Sequence, residues 1–163
     1  MNSMEERLSR AIQLRKEKKV EEARELMLAL YADYPSNAQV NYHCAWVHDL
    51  LGLEREAIPF YEKAVQTGLS GEDLQGALLG MGSTYRCIGE YQKAHDTFQQ
   101  AIALFPARHE FRVFLAITWY NLGQPAKAME LLLNSLVETS NDEGVIAYRN
   151  AIQFYADKLD ETW

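Results

Sequence analysis

The residues best suited to chemistry in this chain are its four histidines and two cysteines, which can bind metal ions or transfer protons. The tightest group is His43, Cys44 and His48, and zinc accepts both of these ligand types. If this segment is helical, Cys44 faces the packing side while His43 and His48 point at other angles, so the three side chains do not converge. His95 and His109 lack a second ligand at helical spacing. We therefore expect neither a metal site nor a cofactor.

Motifs that mark catalytic or nucleotide sites do not occur. The chain has no phosphate-binding loop, dinucleotide-binding loop, nucleophile elbow or zinc-protease helix. The glycine-rich run Gly80-Met81-Gly82-Ser83 falls inside a predicted helix, where glycines serve close packing. Acidic pairs such as Glu21-Glu22 lie in first helical turns on the solvent side. We therefore predict that the protein is not an enzyme.

Composition excludes several classes of partner. Of the 163 residues, 48% are hydrophobic and 24% charged, which is typical of a globular chain and not of a disordered one. A net charge of −7 would repel a nucleic-acid backbone, and no apolar run is long enough to cross a membrane. The first residues lack the apolar stretch of a signal peptide, so we expect a cytoplasmic protein. In that compartment Cys44 and Cys87 are expected to be free thiols.

Alanines recur along the chain in one local pattern. Ala23, Ala57, Ala94 and Ala128 follow one another at nearly equal intervals, each within the same arrangement of neighbours. A period of about 34 residues is typical of stacked helical hairpins. The clearest copy of the full pattern consists of Leu78, Met81, Gly82, Tyr85, Gly89, Tyr91, Ala94, Phe98, Ala101 and Pro106.

This pattern resembles the tetratricopeptide repeat, a helix–turn–helix unit of about 34 residues. The resemblance implies an all-α fold, namely an α-solenoid of four repeats within one domain over residues 1–163. The repeats are 4–37, 38–71, 75–108 and 109–142. A further helix over 143–159 would cap the array, which gives nine helices in all. Its apolar stripe consists of Val145, Tyr148, Ile152, Tyr155 and Leu159.

The recurring columns have physical reasons. Small residues let the first helix of each hairpin cross the second closely, and their positions are Ala11, Ala45, Gly82 and Ala116. Glycines follow three of the first helices, where a left-handed C-terminal cap favours this residue; they are Gly52, Gly89 and Gly123.

In such an array the first helices line a concave groove, and one stripe on each helix points into it. The candidate partner-binding residues in these stripes are Tyr42, Trp46, Asp49, Leu79, Arg86, Val113, Ile117 and Tyr120. The first repeat adds Leu8, Ile12, Arg15 and Lys16 to the same side. Aromatic side chains of this kind dominate binding energy when they are desolvated.

The resemblance and the groove together predict a protein-interaction module that binds a helical or extended segment of a protein or peptide partner. Two alternatives stay open. The aromatic residues could fill the inside of a tightly curved short array, or the array could form a homodimer through the groove or the terminal helix. The segment 1–19 is rich in basic side chains and the segment 138–163 in acidic ones. This asymmetry fits either head-to-tail pairing or complementation of helix dipoles.

One class of partner is disfavoured. Some tetratricopeptide domains bind the C-terminal carboxylate of chaperones through lysine, asparagine and arginine in the groove. The matching columns here hold Leu8, Ile12, His43, Gly76 and Gly80. These residues do not supply the cationic donors that a carboxylate needs. We therefore expect a partner other than a chaperone tail.

Overall fold

The computed structural model describes residues 3–163, and within that range all regular structure is helical. The all-α prediction is thus confirmed. No helix in this part of the chain is both long and apolar enough to cross a bilayer. The ten helices of the described residues are α1 Met4–Lys16, α2 Val20–Asp33, α3 Ala38–Leu50, α4 Glu54–Gln66, α5 Gly71–Cys87, α6 Tyr91–Leu104, α7 Glu110–Asn121, α8 Pro125–Thr139, α9 Glu143–Ala147 and α10 Arg149–Tyr155.

The chain divides into two compact units. The first ends at Glu90 and holds α1 to α5, in which each helix packs against the next along the chain, and α3 also contacts α1 and α5. Short connections make α1 with α2 and α3 with α4 antiparallel hairpins. The second unit, Tyr91–Trp163, holds α6 to α10, in which α7 packs against both α6 and α8.

The alanines of the repeat pattern lie in the core. Ala23, Ala57 and Ala94 are fully buried, and Ala128 is 6% exposed. The small residues of the first helices, such as Ala45, are buried in the same way. A single methyl group keeps the distance between paired helix axes short, which brings larger side chains of neighbouring turns into contact. In the first unit these larger side chains include Met27 and Leu30.

Side-chain caps start several helices. Ser3 and Glu6 form a reciprocal capping box at α1, with Ser3 Oγ 3.2 Å from the Glu6 amide and Glu6 Oε2 2.9 Å from the Ser3 amide. Asn37 accepts from the Val40 amide at α3, and Asp142 accepts from the Val145 amide at α9. Each cap satisfies an amide that the helix itself leaves without an acceptor.

The first helices of the hairpins end in a left-handed residue. Gly52, Gly89 and Gly123 have φ values of +70°, +83° and +72°, as the repeat pattern predicts. The first hairpin has Lys18 at the equivalent place, with φ +63°. A lysine carries a Cβ that crowds its own backbone in this region, so the first hairpin holds a strained residue where the others hold glycine.

The C-terminal segment differs from the single helix expected over 143–159. It forms α9 and α10, which are interrupted at Tyr148 (φ −100°, ψ 12°). Of the apolar stripe, Val145 and Ile152 are half-buried. Tyr148, Tyr155 and Leu159 are 69%, 49% and 44% exposed, whereas Ala156 is buried. The segment therefore exposes aromatic side chains beside the expected polar ones, which include Arg149, Asn150 and Gln153.

Replacing Lys18 by glycine is expected to stabilise the protein by about 1 kcal/mol, because glycine adopts the left-handed conformation without a Cβ clash. Thermal and urea unfolding of the variant would measure the gain. Lys16→Gly, inside the last turn of α1, removes the same charge and should instead destabilise by up to about 1 kcal/mol. Equal effects of the two substitutions would contradict the assigned strain.

Candidate functional site

The eight predicted partner-binding residues differ widely in accessibility. Four of them are exposed, and their exposed fractions are 37% for Trp46, 37% for Val113, 38% for Ile117 and 69% for Tyr120. Three are half-buried, namely Asp49, Leu79 and Arg86. Tyr42 is only 5% exposed. The five of them on α3 and α5 belong to the first unit, and the three on α7 belong to the second.

In the first unit, Trp46 lies at the centre of a stacked cluster on α3. The Arg15 guanidinium from α1 lies over the indole, with its Cζ 3.5 Å from the ring centroid. The His43 ring lies nearly parallel to the indole at 6.1 Å between centroids, and the Tyr42 ring lies 5.6 Å away. We call Arg15, Tyr42, His43 and Trp46 the α3 cluster. It holds a partly exposed indole in one orientation, with a cation on its face.

Tyr42 is buried because α5 approaches α3 closely. A Cβ at Gly76 would collide with the Tyr42 hydroxyl, so only glycine leaves room for this ring. Gly80, one turn later on α5, does the same for Tyr61, whose Cζ would lie 2.6 Å from an added Cβ. Tyr42 is therefore enclosed by its own unit and supports Trp46 from beside it. Sequence reasoning identified close packing by Gly80 but not its aromatic partner.

Asp49 is held by hydroxyl groups from two other helices. The Tyr61 hydroxyl donates to its carboxylate at 2.6 Å, and the Thr84 hydroxyl lies 2.9 Å from both of its oxygens. Burial raises the pKa of Asp49, although these hydrogen bonds act in the opposite direction. The network joins α3, α4 and α5. Asp49 consequently has a structural use within the first unit.

Burial also sets the ionisation of His43. Burial and, to a smaller extent, the nearby Arg15 cation lower the pKa of His43 to about 4, while Asp73 acts in the opposite direction. Arg15 donates from Nη1 to His43 Nδ1 at 2.9 Å, so Nδ1 is an acceptor and the ring proton resides on Nε2. The α3 cluster thus carries a single positive charge, on Arg15, at neutral pH.

Leu79 and Arg86 lie on α5 and are partly covered. Arg86 Nε is buried and has no hydrogen-bond partner among the described residues. A buried donor without an acceptor is costly, since it has lost water without replacing it. These two residues contribute less free surface than Trp46.

In the second unit, α7 exposes an apolar stripe. Val113, Ile117 and Tyr120 follow one another at spacings of four and three residues, which places them on one side of the helix. The opposite side is buried through Phe111 and Leu115. We call the exposed set the α7 stripe. It was predicted from the repeat columns, and it offers three neighbouring apolar side chains to solvent.

The residues considered for metal binding have separate partners. Cys44 Sγ is directed at the Met27 carbonyl, and the His48 ring bonds to Arg24 and to the Cys44 carbonyl, while His43 bonds to Arg15. Burial raises the pKa of the Cys44 thiol to about 12. Across residues 3–163 no group of three or more histidine, cysteine or acidic side chains could hold a metal ion.

Stability should depend on pH through His43. Its pKa is about 4 in the folded protein and near 6.5 when unfolded, so the unfolded state binds the extra proton between these values. Stability from this group is therefore complete above pH 6.5 and is lost as pH falls towards 4, by up to about 3 kcal/mol. The free energy of unfolding, measured with urea at a series of pH values, should fall less steeply with decreasing pH for His43→Gln than for wild type. An unchanged pH dependence in His43→Gln would contradict this assignment.

Comparison with known proteins agrees with the helical-hairpin pattern. The chain resembles the solved structure "MamA MSR-1 C2" with a TM-score of 0.74 and 19% sequence identity, and the match covers 82% of this chain and 75% of that one. It resembles "Crystal structure of MamA protein" with a TM-score of 0.74 and 14% identity, and that match covers 99% of this chain and 79% of the other. It also resembles a chain of "Crystal structure of APC/C hetero-tetramer Cut9-Hcn1" (0.75, 18%), matching 94% of its own length and 30% of that chain. No match was found among curated protein sequences. At these identities the structures establish the fold alone. The family model described as Tetratrico peptide repeat matches residues 38–159, and the chain therefore belongs to the tetratricopeptide repeat family.

Proposed function

We propose that this protein is a protein-interaction module, without catalytic activity, that binds a helical or extended segment of another polypeptide through the first-helix faces of its repeats. The observation that carries the proposal is the α7 stripe. Val113, Ile117 and Tyr120 form a continuous apolar surface on a helix whose other side already fills the core. Side chains in such a row gain free energy only when a partner covers them.

Trp46 in the first unit supports the same proposal. Its indole is 37% exposed and is held by the stacked Arg15 and His43, so little conformational entropy is lost when a partner covers it. Within the proposal, Trp46 and the α7 stripe contact the partner directly. Leu79 and Arg86 contribute at the margin. Tyr42 and Asp49 act by fixing the positions of α3, α4 and α5.

Selection of short, terminally capped peptides from a random library, followed by affinity measurement, tests the proposal. Trp46→Ala and Tyr120→Ala should each weaken binding of selected peptides by roughly tenfold or more, as expected for aromatic hot spots. Leu104→Ala serves as the control, because it removes a comparably exposed apolar side chain from α6, which is the second helix of its repeat. Far-UV circular dichroism verifies folding of each variant. Affinities that respond to Leu104→Ala but to neither aromatic substitution would refute the proposed surface.

A second candidate function is self-association through the C-terminal segment. Phe154, Tyr155 and Trp163 form a cluster of ring contacts and are 51%, 49% and 79% exposed. An exposed aromatic cluster of this kind is typical of an interface between chains.

Light scattering across a concentration series tests this second candidate. A homodimer should have twice the chain mass, and Phe154→Asp combined with Trp163→Asp should reduce it to one chain, because charges resist burial in an apolar seam. Leu104→Asp is the matched control and should leave the dimer intact. A wild-type protein that is monomeric at every concentration up to the millimolar range would exclude the dimer.

A further inference from the structure

Arg15 carries a positive charge that forms no ion pair with a carboxylate among the described residues of the first unit. Its guanidinium lies over Trp46 with Cζ 3.5 Å from the ring centroid, and Nη1 donates to the neutral His43 ring. None of the ion pairs or hydrogen bonds that join described residues connects Arg15 to an acidic side chain. A half-buried cation without a counter-charge has lost part of its hydration without full compensation.

The carboxylates on the same side of the unit are already engaged. Asp49 accepts from Tyr61 and Thr84, and Asp73 accepts from Gln39 Nε2 at 3.2 Å. Burial lowers the pKa of Arg15, and the neighbouring Tyr42 and Tyr61 act in the opposite direction. The guanidinium stays protonated in any case, because its ordinary pKa lies far above neutral pH.

Stacking occupies the flat face of the Arg15 guanidinium and not its donor edge. A guanidinium has five N–H groups in its own plane, and one of them is used by His43. A guanidinium that lies over an indole contacts the ring with the face of its own plane, so the remaining N–H groups point away from the ring within that plane. A carboxylate can accept two of them in parallel, which is the strongest geometry for this pair.

We propose that Arg15 binds the carboxylate of an acidic side chain in the partner segment, while the exposed indole of Trp46 covers a neighbouring apolar residue of that segment. This inference rests on the proposed function, since it names the chemistry of the partner at the same surface. The partner is thus a polypeptide with an aspartate or glutamate beside an apolar side chain. A chain-terminal carboxylate offers the same chemistry, and the experiment distinguishes the two sources.

The test uses the capped peptides selected with the full chain. Binding peptides should contain aspartate or glutamate, and changing that residue to its amide should weaken binding to wild type by about tenfold or more. Arg15→Gln should produce a similar loss with the acidic peptide. Combined with the amide peptide, it should add little further loss, because both changes remove one interaction. Arg15→Lys keeps the charge but loses the planar fork, and it should fall between wild type and Arg15→Gln.

Arg10 provides the matched control. It is an exposed arginine on the same helix, so Arg10→Gln removes the same charge and should leave peptide affinity within about twofold of wild type. Thermal unfolding of Arg15→Gln and Arg15→Lys checks that both variants are folded. If Arg15→Gln is unfolded, the peptide affinity of Arg15→Lys tests the role of Arg15 instead.

The outcomes separate the two proposals. Peptides that depend on Trp46 but contain no acidic residue, or that bind Arg15→Gln as well as wild type, would overturn the inference and leave the proposed function standing. The same sequences are also measured with a free C-terminal carboxylate; a free-acid form that binds much more tightly than the capped form and does not respond to the internal amide change would overturn the side-chain assignment. Peptide binding that is insensitive to both Trp46→Ala and Tyr120→Ala would overturn the inference together with the proposed function.

Discussion

Close approach between paired helices is the constraint on which the rest of this structure depends. Ala23 and Ala57 are fully buried on the paired helices α1–α2 and α3–α4, and a larger side chain at either place would force the backbones of the pair apart. Because the crossings are tight, the larger side chains of neighbouring turns fill the spaces beside them. The same constraint fixes which faces of the first helices are left for other uses.

Much of the fold could be predicted because its determinants are local and recur. A column of small residues, a glycine with positive φ after three of the first helices and capping residues at helix starts each have a physical cause that the sequence displays directly. The C-terminal segment could not be predicted in the same way. A stripe of Val145, Tyr148 and Ile152 has helical spacing, but whether α9 and α10 join depends on how much apolar surface α8 offers them. The area of that apolar surface is set by tertiary packing, so the sequence of the segment alone does not reveal it.

The candidate surface was predictable in outline but not in detail. Repeat columns identified the exposed positions Trp46, Val113, Ile117 and Tyr120. They also suggested Tyr42, which is buried because Gly76 admits its ring against α5. Arg15 belongs to the predicted stripe on α1, yet nothing in the sequence shows that its guanidinium lies over an indole of α3. Such pairings are set by side-chain rotamers and by contacts between repeats, which a column pattern does not encode.

The contact between Gly76 and Tyr42 links two positions in separate repeats. Gly76 cannot gain a side chain while Tyr42 keeps its phenol in place, because an added Cβ on α5 and the phenol on α3 would occupy the same space. The linkage also applies to Gly80 and Tyr61. Evolutionary change in this part of the chain is therefore coupled, and we expect relatives with a bulkier residue at either glycine to carry a shorter side chain in place of the matching tyrosine. Covariation between these sites across many relatives would record the helix spacing of the first unit.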